Sequence, residues 1–365
     1  MDERALTEKL IAYDTSKPEG IRLAAGFVKG WLEARDIDAR QIDVKGLPVT
    51  IAQTGPSGGP TVLLHGHLDV VPGRPGQFEP RADGERLFGR GAYDMKGALA
   101  AMLLALHDVR DTTDVRIRLG VVPDEESEEE SERGSDQLVS EGFVGDFVIT
   151  GEPTDMHIGI QAKGVLAMRL EISGRAAHGA TPWMGENAIQ KALEVFQEIE
   201  SLPFARQSSE LFDHPSINLG RILGGDALNK VPDTCVIDVD IRYLPEQDPS
   251  AILEEVRELP GAEVISTFSR PPASVEEDSV FVRTLSEAAA PHLGGEVLSV
   301  GRDGASDAVS FLRAGIPAVE FGPVGAGHHG PEEWVSIPSL VHYRQALTSF
   351  FAGLATRLPE GGESS

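Results

Sequence analysis

The sequence predicts an α/β protein in which a domain with a mostly parallel sheet is interrupted by a smaller α+β domain. The chain has 365 residues, more than the roughly 250–300 over which a single hydrophobic core keeps growing, so we expect two domains. Strand-like and helix-like segments alternate in residues 1–163 and 272–365, which is typical of a parallel sheet covered by helices. Residues 164–271 instead contain alternating strand patterns that favour an antiparallel sheet.

The first part of the chain begins with two helices, because Leu23, Phe27 and Trp31 recur at helical spacing. A loop rich in glycine and proline, GPSGGP at 55–60, then precedes a short apolar strand. The predicted helices up to residue 150 lie at 4–13, 19–35, 98–107 and 135–141, and the predicted strands lie near 37–44, 48–53, 61–64, 115–122 and 146–150.

The inserted part and the return to the first domain follow the same kind of pattern. The segment TCVIDVDIRYLP alternates apolar and polar residues, which predicts a strand with one buried face. Residues 270–279, RPPASVEEDS, are predicted to be a linker. The other predicted elements are strands near 165–174, 216–225 and 316–321, helices at 186–201, 249–258, 279–292 and 338–356, and a loop at 301–308.

Composition excludes several classes of function. The formal net charge of −26 argues against binding to nucleic acid or to anionic membrane surfaces. No apolar run approaches the 18 or so residues of a membrane-spanning helix. The only cysteine, Cys235, has no partner for an internal disulfide, and the N-terminus lacks an apolar leader. We therefore expect a cytoplasmic protein.

Polar residues gather where the predicted strands end. His65, His67 and Asp69 follow the strand at 61–64 and share one face, at the strand end where open α/β sheets bind ligands. Other strand ends and loops supply Asp94, Glu125 and Glu126, Glu152, and His328 or His329. Imidazole and carboxylate ligands without cysteine suit zinc, manganese or cobalt in a hydrolytic site. Five such ligands are too many for one catalytic zinc and fit two metals that share a bridging carboxylate.

Each of these residues also has a structural interpretation. Asp94 precedes a predicted helix and is suited to cap it, and Glu152 lies in a Gly-Glu-Pro turn. His65 fits a packing role. Most carboxylates of the run EESEEESE at 125–132 belong to a solvated acidic loop. What favours a metal site is that five separate segments all offer ligands of suitable chemistry.

Six motifs together resemble the M20 metallopeptidase family, which includes succinyl-diaminopimelate desuccinylase, acetylornithine deacetylase, aminoacylase and carboxypeptidase G. They are HGHLDVVP, GRGAYDMKG, PDEE, GEPT, AAHGATPWMGENAI and HHGPEEW, and they occur in the order that the family has. The resemblance covers nearly the whole chain. It implies a dimeric two-metal amidohydrolase, with zinc, cobalt or manganese, that cleaves an N-acyl or peptide bond next to a free carboxylate.

The resemblance also implies a role for each site residue. One metal is held by His67 and Glu152, the other by Glu126 and His329, and Asp94 bridges them. Asp69 accepts a hydrogen bond from the His67 ring, Glu125 is the general base, and His178 stabilises the tetrahedral intermediate from the partner subunit. The implied substrate-binding residues are Asn229, Arg242 and Ser306. His329 is favoured over His328 because the family ligand stands two residues before a proline.

One departure leaves the acidic register open. The family places a glycine soon after the Asp-Glu-Glu motif, whereas here more acidic residues intervene before Gly134, so Glu128 and Glu129 compete with Glu125 and Glu126. We favour the first pair because it directly follows a predicted strand. The expected substrate is an N-succinyl or N-acetyl amino acid of lysine or arginine biosynthesis. The alternatives are a metallo-dipeptidase or carboxypeptidase of the same family and a catalytically silent homologue that binds metal or peptide.

Overall fold

The structure is a computed structural model that describes residues 1–127, 133–304 and 306–358. Its α-helices are α1 (Glu3–Ile11), α2 (Pro18–Glu33), α3 (Gly97–Val109), α4 (Gly134–Ser140), α5 (Ala188–Ser201), α6 (Pro249–Arg257), α7 (Val280–Leu293), α8 (Ala308–Arg313) and α9 (Ile337–Arg357). Its strands are β1 (Ala39–Val44), β2 (Leu47–Thr54), β3 (Thr61–His67), β4 (Arg81–Asp83), β5 (Arg86–Phe88), β6 (Arg116–Val122), β7 (Phe147–Thr150), β8 (Ile158–Ala162), β9 (Gly164–Ser173), β10 (Ser216–Gly224), β11 (Thr234–Tyr243), β12 (Ala262–Arg270), β13 (Ala273–Ser274), β14 (Ser299–Arg302), β15 (Ala318–Glu320), β16 (Gly325–Ala326) and β17 (Trp334–Ser336).

The chain separates into two compact units. The first comprises residues 1–160, 275–300 and 307–365, and the second comprises residues 161–274 and 301–306. The first contains most of the large mixed sheet and most of the helices, and the second contains a four-stranded antiparallel sheet with its own core. The predicted α/β class with an inserted α+β unit is confirmed. A role of the second unit in dimerisation remains a prediction.

The central strands of the first unit are parallel and end at the same level. The order of the large sheet is β1-β2-β6-β3-β7-β15-β8-β13, with β14 beside β8, and the neighbours among β6, β3, β7 and β15 pair in parallel. Because His67 on β3 pairs with Val122 at the end of β6, the residues that follow both strands emerge side by side. His65 pairs with Thr150 at the end of β7, so Glu152 emerges at the same edge. This edge is where ligands bind in open α/β sheets.

A small antiparallel sheet brings two distant loops of the first unit together. Its order is β16-β17-β5-β4, and Trp334 of β17 pairs with Phe88 of β5. The segment that leads to Asp94 is thereby fixed beside the segment that follows His329. Helix α3 begins three residues after Asp94 and is buried from Gly97 to Leu106, which fits its nearly uniform apolar sequence.

The second unit owes its core to the alternating pattern of its strands. On β11 the residues from Cys235 to Tyr243 alternate between buried and partly exposed, and the buried set packs with α5 and α6. The order of the sheet is β10-β11-β9-β12, which leaves β10 and β12 as its edges. Asn187 and Asp248 accept hydrogen bonds from backbone N–H groups at the starts of α5 and α6, as N-cap residues do.

Several elements were not predicted. Strand β8, helix α8 and the small sheet of β4, β5, β16 and β17 are short, and a run of two to six residues carries little periodicity. The predicted linker at 270–279 includes strand β13. In the part of the chain that the structure describes, no helix is both long and apolar enough to cross a membrane.

Candidate active site

His67 lies at the centre of a buried polar cluster at the end of β3. Its side chain is 1% exposed, and its Nδ1 lies 3.0 Å from the backbone carbonyl of Asp69. Because a carbonyl only accepts, Nδ1 carries the proton and Nε2 is left as the atom that can bind a cation. Nε2 lies 3.1 Å from Asp94 Oδ1 and 3.8 Å from Glu152 Oε1. Burial lowers the pKa of His67, but the surrounding carboxylates outweigh it and raise that pKa well above its usual value.

Asp94 joins this cluster to a second one. Its Oδ2 lies 3.5 Å from His329 Nε2, and the same ring nitrogen lies 2.9 Å from Glu126 Oε1. The five predicted metal ligands therefore form two groups of three that share Asp94: His67, Asp94 and Glu152, and Asp94, Glu126 and His329. In each group one ligand atom per residue lies within 4.8 Å of the others.

The residues present fit divalent metal ions. Glu152 Oε1 is buried and, among the residues that the structure describes, makes no hydrogen bond. Burial, and then the negative charge of Asp94, raise the pKa of Glu152 well above its usual range. Packing several carboxylates against two imidazoles without a compensating cation is costly, and nitrogen and oxygen donors are the ones that zinc and manganese accept.

The carboxylate of Asp69 has a different partner from the one predicted. Asp69 Oδ1 lies 3.6 Å from His67 Nδ1, beyond a hydrogen bond, and the carbonyl of Asp69 takes that role instead. Its carboxylate accepts from the backbone N–H groups of Glu125 at 3.2 Å and Glu126 at 2.7 Å. The pairing of β3 with β6 explains this contact, because the loops after both strands begin side by side. Asp69 therefore anchors the Glu125–Glu126 pair directly.

Glu125 is held from the opposite side by Arg133. The guanidinium donates to the carbonyls of Glu125 at 3.0 Å and Ser127 at 3.2 Å, and to Asp307 Oδ1 at 3.2 Å. Burial raises the pKa of the Glu125 carboxyl to about 8, and the negative charges of Asp307 and nearby ligands add to that shift. The competing pair, Glu128 and Glu129, lies outside the described residues.

His65 belongs to a buried network that reaches Arg133 through Asp307. Ser135 Oγ donates to Asp307 Oδ2 at 2.6 Å, so its oxygen accepts from His65 Nε2 at 3.0 Å. The ring also packs edge-on against Phe311. Burial outweighs the attraction of Asp307 and lowers the pKa of His65 to about 4. His65 is thus a neutral side chain of the sheet interior and takes no part in the two groups of three.

The remaining predicted residues belong to the second unit, where they fall at two ends of the sheet. His178 and Asn229 are exposed and adjacent, since the N–H of Gly179 donates to the carbonyl of Asn229 at 2.7 Å. Arg242 lies at the far end of β11, paired with Val165 of β9. The nine residues from Val165 to Ser173, the end of β9, span about 26 Å.

The side-chain hydrogen bonds of His178 and Arg242 are local. His178 Nδ1 accepts from the N–H of Ala180 at 3.0 Å, and Arg242 Nε donates to Asp240 at 3.0 Å. Ser306 is buried and is grouped with the second unit. In the predicted loop at 301–308, residue 305 lies outside the described residues.

Sequence reasoning missed the buried charged residues that stand behind the site: Arg90, Arg133, Asp307 and Glu333. Arg90 and Glu333 lie inside the motifs GRGAYDMKG and HHGPEEW. Their place in these motifs is the sequence feature that could have indicated a role at the site. A charged residue next to a ligand is usually solvated, however, so position in a motif alone does not predict burial.

Comparison with known proteins identifies the family. The model of peptidase family M20/M25/M40 matches residues 63–352, which include every predicted metal ligand. The chain belongs to this family. It is a metal-dependent hydrolase that acts on amide bonds.

Individual proteins are also similar to this chain. Succinyl-diaminopimelate desuccinylase of Erythrobacter litoralis is 30% identical to this M20 chain over 306 residues, covering 78% of this chain and 79% of the relative. A tripeptidase from Staphylococcus aureus shares the fold with a TM-score of 0.81 at 22% identity, over 98% of this chain and 99% of that one. A dinuclear metal-binding M20 peptidase from Bacillus subtilis has a TM-score of 0.66 at 18% identity, over 95% and 98%.

Proposed function

We propose that this M20 hydrolase removes the acyl group of an N-acyl amino acid at a two-metal site, with N-succinyl amino acids as the favoured substrates. The observation that carries the proposal is the pair of three-residue groups that share Asp94. Its similarity to relatives named desuccinylases supports the choice of acyl group. Because the single cysteine is typical of a reducing compartment, we place the enzyme in the cytoplasm.

His67 and Glu152 would hold one divalent ion, Glu126 and His329 the other, and Asp94 would contribute one oxygen to each. Zinc is the favoured metal, with cobalt and manganese as alternatives, because the donors are imidazole nitrogens and carboxylate oxygens. When bound, such a pair of ions polarises the substrate carbonyl and makes water more acidic.

Glu125 is the proposed general base and then the general acid. It takes the proton from the attacking water and delivers it to the leaving amine nitrogen as the carbon–nitrogen bond breaks. Two contacts keep its backbone in place, the carboxylate of Asp69 on its N–H and the guanidinium of Arg133 on its carbonyl. The backbone that carries the carboxylate is therefore fixed at both its N–H and its carbonyl.

We infer that His178 acts in the active site of a partner subunit, where it donates to the oxyanion of the tetrahedral intermediate. The arrangement of the second unit supports this, because His178 and Asn229 lie at the opposite end of the sheet from Arg242. If all three serve the same substrate, two chains must contribute them. Arg242 would bind the substrate carboxylate, as a planar guanidinium does well, and Asn229 and Ser306 would add hydrogen bonds.

The second unit offers a surface for such a dimer. Strand β10 is an edge strand, and edge strands readily pair with another chain. Apolar side chains are exposed on it, with Ile222 at 38% and Leu223 at 56%. Exposed apolar groups of this size are typical of interaction surfaces. We therefore propose that the homodimer forms through this unit.

The test is a hydrolysis screen with defined metals. The purified protein is stripped by a chelator, reloaded with Zn²⁺, Co²⁺ or Mn²⁺, and assayed with N-succinyl amino acids, N-acetyl amino acids and dipeptides. We expect N-succinyl amino acids to give the highest kcat/KM and chelation to abolish turnover. Preferred cleavage of dipeptides would instead assign a peptidase. If the folded, metal-loaded protein hydrolyses none of these substrates, it is a silent homologue and the proposal is wrong.

A further inference from the structure

A buried carboxylate behind the candidate metal centre connects its two halves. The side chain of Glu333 is 1% exposed and lies four residues after His329. Its Oε1 accepts from the backbone N–H groups of Tyr93 and Asp94, both at 3.1 Å. Its Oε2 accepts from the N–H of Gly91 at 3.0 Å and from Arg90 Nη1 at 2.8 Å. Glu333 thus holds residues 90–94, which we call the Asp94 loop.

Arg90 carries the connection on to His329. While Nη1 donates to Glu333, Nη2 donates to the carbonyl of His329 at 3.1 Å. The two terminal nitrogens of one guanidinium therefore hold the Glu333 carboxylate and the backbone of His329, the residue predicted to bind the second metal. Gln77 Nε2 donates to the next carbonyl, that of Gly330, at 3.1 Å. We call residues 327–333 the His329 loop.

The backbone of His329 needs such support. Its φ is +61°, in the left-handed region that residues other than glycine rarely adopt. Conformations of this kind persist where the surrounding contacts fix them, and they cluster at functional sites. In the His329 loop those contacts include the hydrogen bond from Arg90.

We propose that Glu333 is a positioning residue of the metal centre: through its backbone acceptors and through Arg90 it sets the distance between Asp94 and His329. A carboxylate suits this task because it offers only acceptors, about four lone pairs on two oxygens, and four donors face it here. A glutamine in its place would turn an NH₂ group toward two of those donors in either orientation of the amide. The inference rests on the metal centre proposed above and concerns metal affinity rather than the choice of substrate.

The test measures Co²⁺ binding to metal-stripped protein by calorimetry and by visible absorbance, with metal content checked by elemental analysis. Glu333→Gln is expected to weaken the binding of at least one Co²⁺ by about 10- to 100-fold, as loss of residues that orient ligands does. Arg90→Lys keeps a cation beside Glu333 but cannot also reach the His329 carbonyl in the same geometry. Arg90→Lys is expected to weaken the binding of one of the two Co²⁺ ions.

Two variants serve as matched controls. Glu332→Gln makes the same chemical change one residue earlier, on a side chain that is 78% exposed. Glu3→Gln alters another largely buried carboxylate, at the start of helix α1 in the same unit. Glu3 accepts from Arg344 of helix α9 at 2.9 Å. Both are expected to bind Co²⁺ with the affinity of the parent. Thermal unfolding by circular dichroism reports the fold of every variant.

The outcomes separate this proposal from the proposed function. A folded Glu333→Gln variant that binds both Co²⁺ ions as tightly as the parent would overturn it, and so would an equal loss of affinity in Glu3→Gln. If Glu333→Gln does not fold, the Co²⁺ affinities of Arg90→Lys provide the test, and affinities equal to those of the parent would overturn the proposal. A parent that binds two Co²⁺ ions but hydrolyses no acylated amino acid would contradict the proposed function and leave this inference intact. A parent that binds no Co²⁺ would overturn both.

Discussion

The two compact units differ in how they hold their candidate functional residues. In the first unit Glu125 and four of the five predicted ligands are buried or partly buried, while the His329 side chain is 50% exposed. They are supported by neighbouring carboxylates, guanidinium groups and backbone donors. In the second unit His178 and Asn229 are exposed, with few partners, at one end of a sheet whose other end carries Arg242. Metal binding is therefore expected to be a property of a single chain. Turnover is expected to depend on assembly.

The largest expected effect is on turnover at the first unit. Glu125→Gln removes the proposed base while the backbone contacts to Asp69 and Arg133 remain. We expect kcat to fall by about 10²- to 10⁴-fold, the usual contribution of general acid–base catalysis, with two metals still bound. Steady-state kinetics and metal content check this. Normal turnover in a variant that retains both metals would remove Glu125 from the mechanism and reopen the register of the acidic run.

His178→Ala tests whether the second unit contributes to catalysis without contributing to metal binding. We expect kcat to fall by about 10²- to 10³-fold, as for loss of one oxyanion donor, at unchanged metal affinity. Mixing it with Glu125→Gln should restore activity, because a mixed dimer contains one site with both residues intact. Random assortment gives about a quarter of the parent activity. If mixing restores nothing although the chains exchange, His178 does not act across subunits.

Ile237→Ala tests whether the stability of the second unit can be lowered without disturbing the metal centre. Ile237 is fully buried in the core of that unit, so the lost contacts and the cavity should lower the free energy of unfolding by about 2–5 kcal/mol. Chemical denaturation of the full chain measures this, with Co²⁺ affinity determined below the transition. A loss of Co²⁺ affinity alongside the loss of stability would contradict the view that metal binding depends on the first unit alone.

The smallest expected effect is on the stability of the second unit, at the open face of its antiparallel sheet. Arg169 and Asp238 form a bidentate ion pair at 2.7 and 2.8 Å, but the Arg169 side chain is 44% exposed. Exposed pairs contribute little, so Arg169→Gln should leave the free energy of unfolding nearly unchanged. Denaturation at low and high salt checks this. A larger, salt-independent loss would indicate that this face is buried against another surface.

Much of the candidate site was predictable because its residues follow strands. Parallel strands end at one edge, so His67, Glu126 and Glu152 could be grouped from the strand pattern alone. The partner of the Asp69 carboxylate was not predictable in this way, since the pattern indicates which residues end a strand but not how the side chain turns afterwards. The role of Glu333 was also hidden, because Asp94 lies 239 positions away from it in the sequence.

The paired ends of β3 and β6 also restrict how such a chain can vary in length. His67 and Val122 are partners, and side chains along a strand alternate between faces. Inserting or deleting one residue between Thr61 and His67 would turn the imidazole to the opposite side of the sheet and detach Asp69 from the Glu125 backbone. Evolutionary insertions and deletions are therefore expected in connections such as residues 55–60, and natural relatives should keep the length of these two strands.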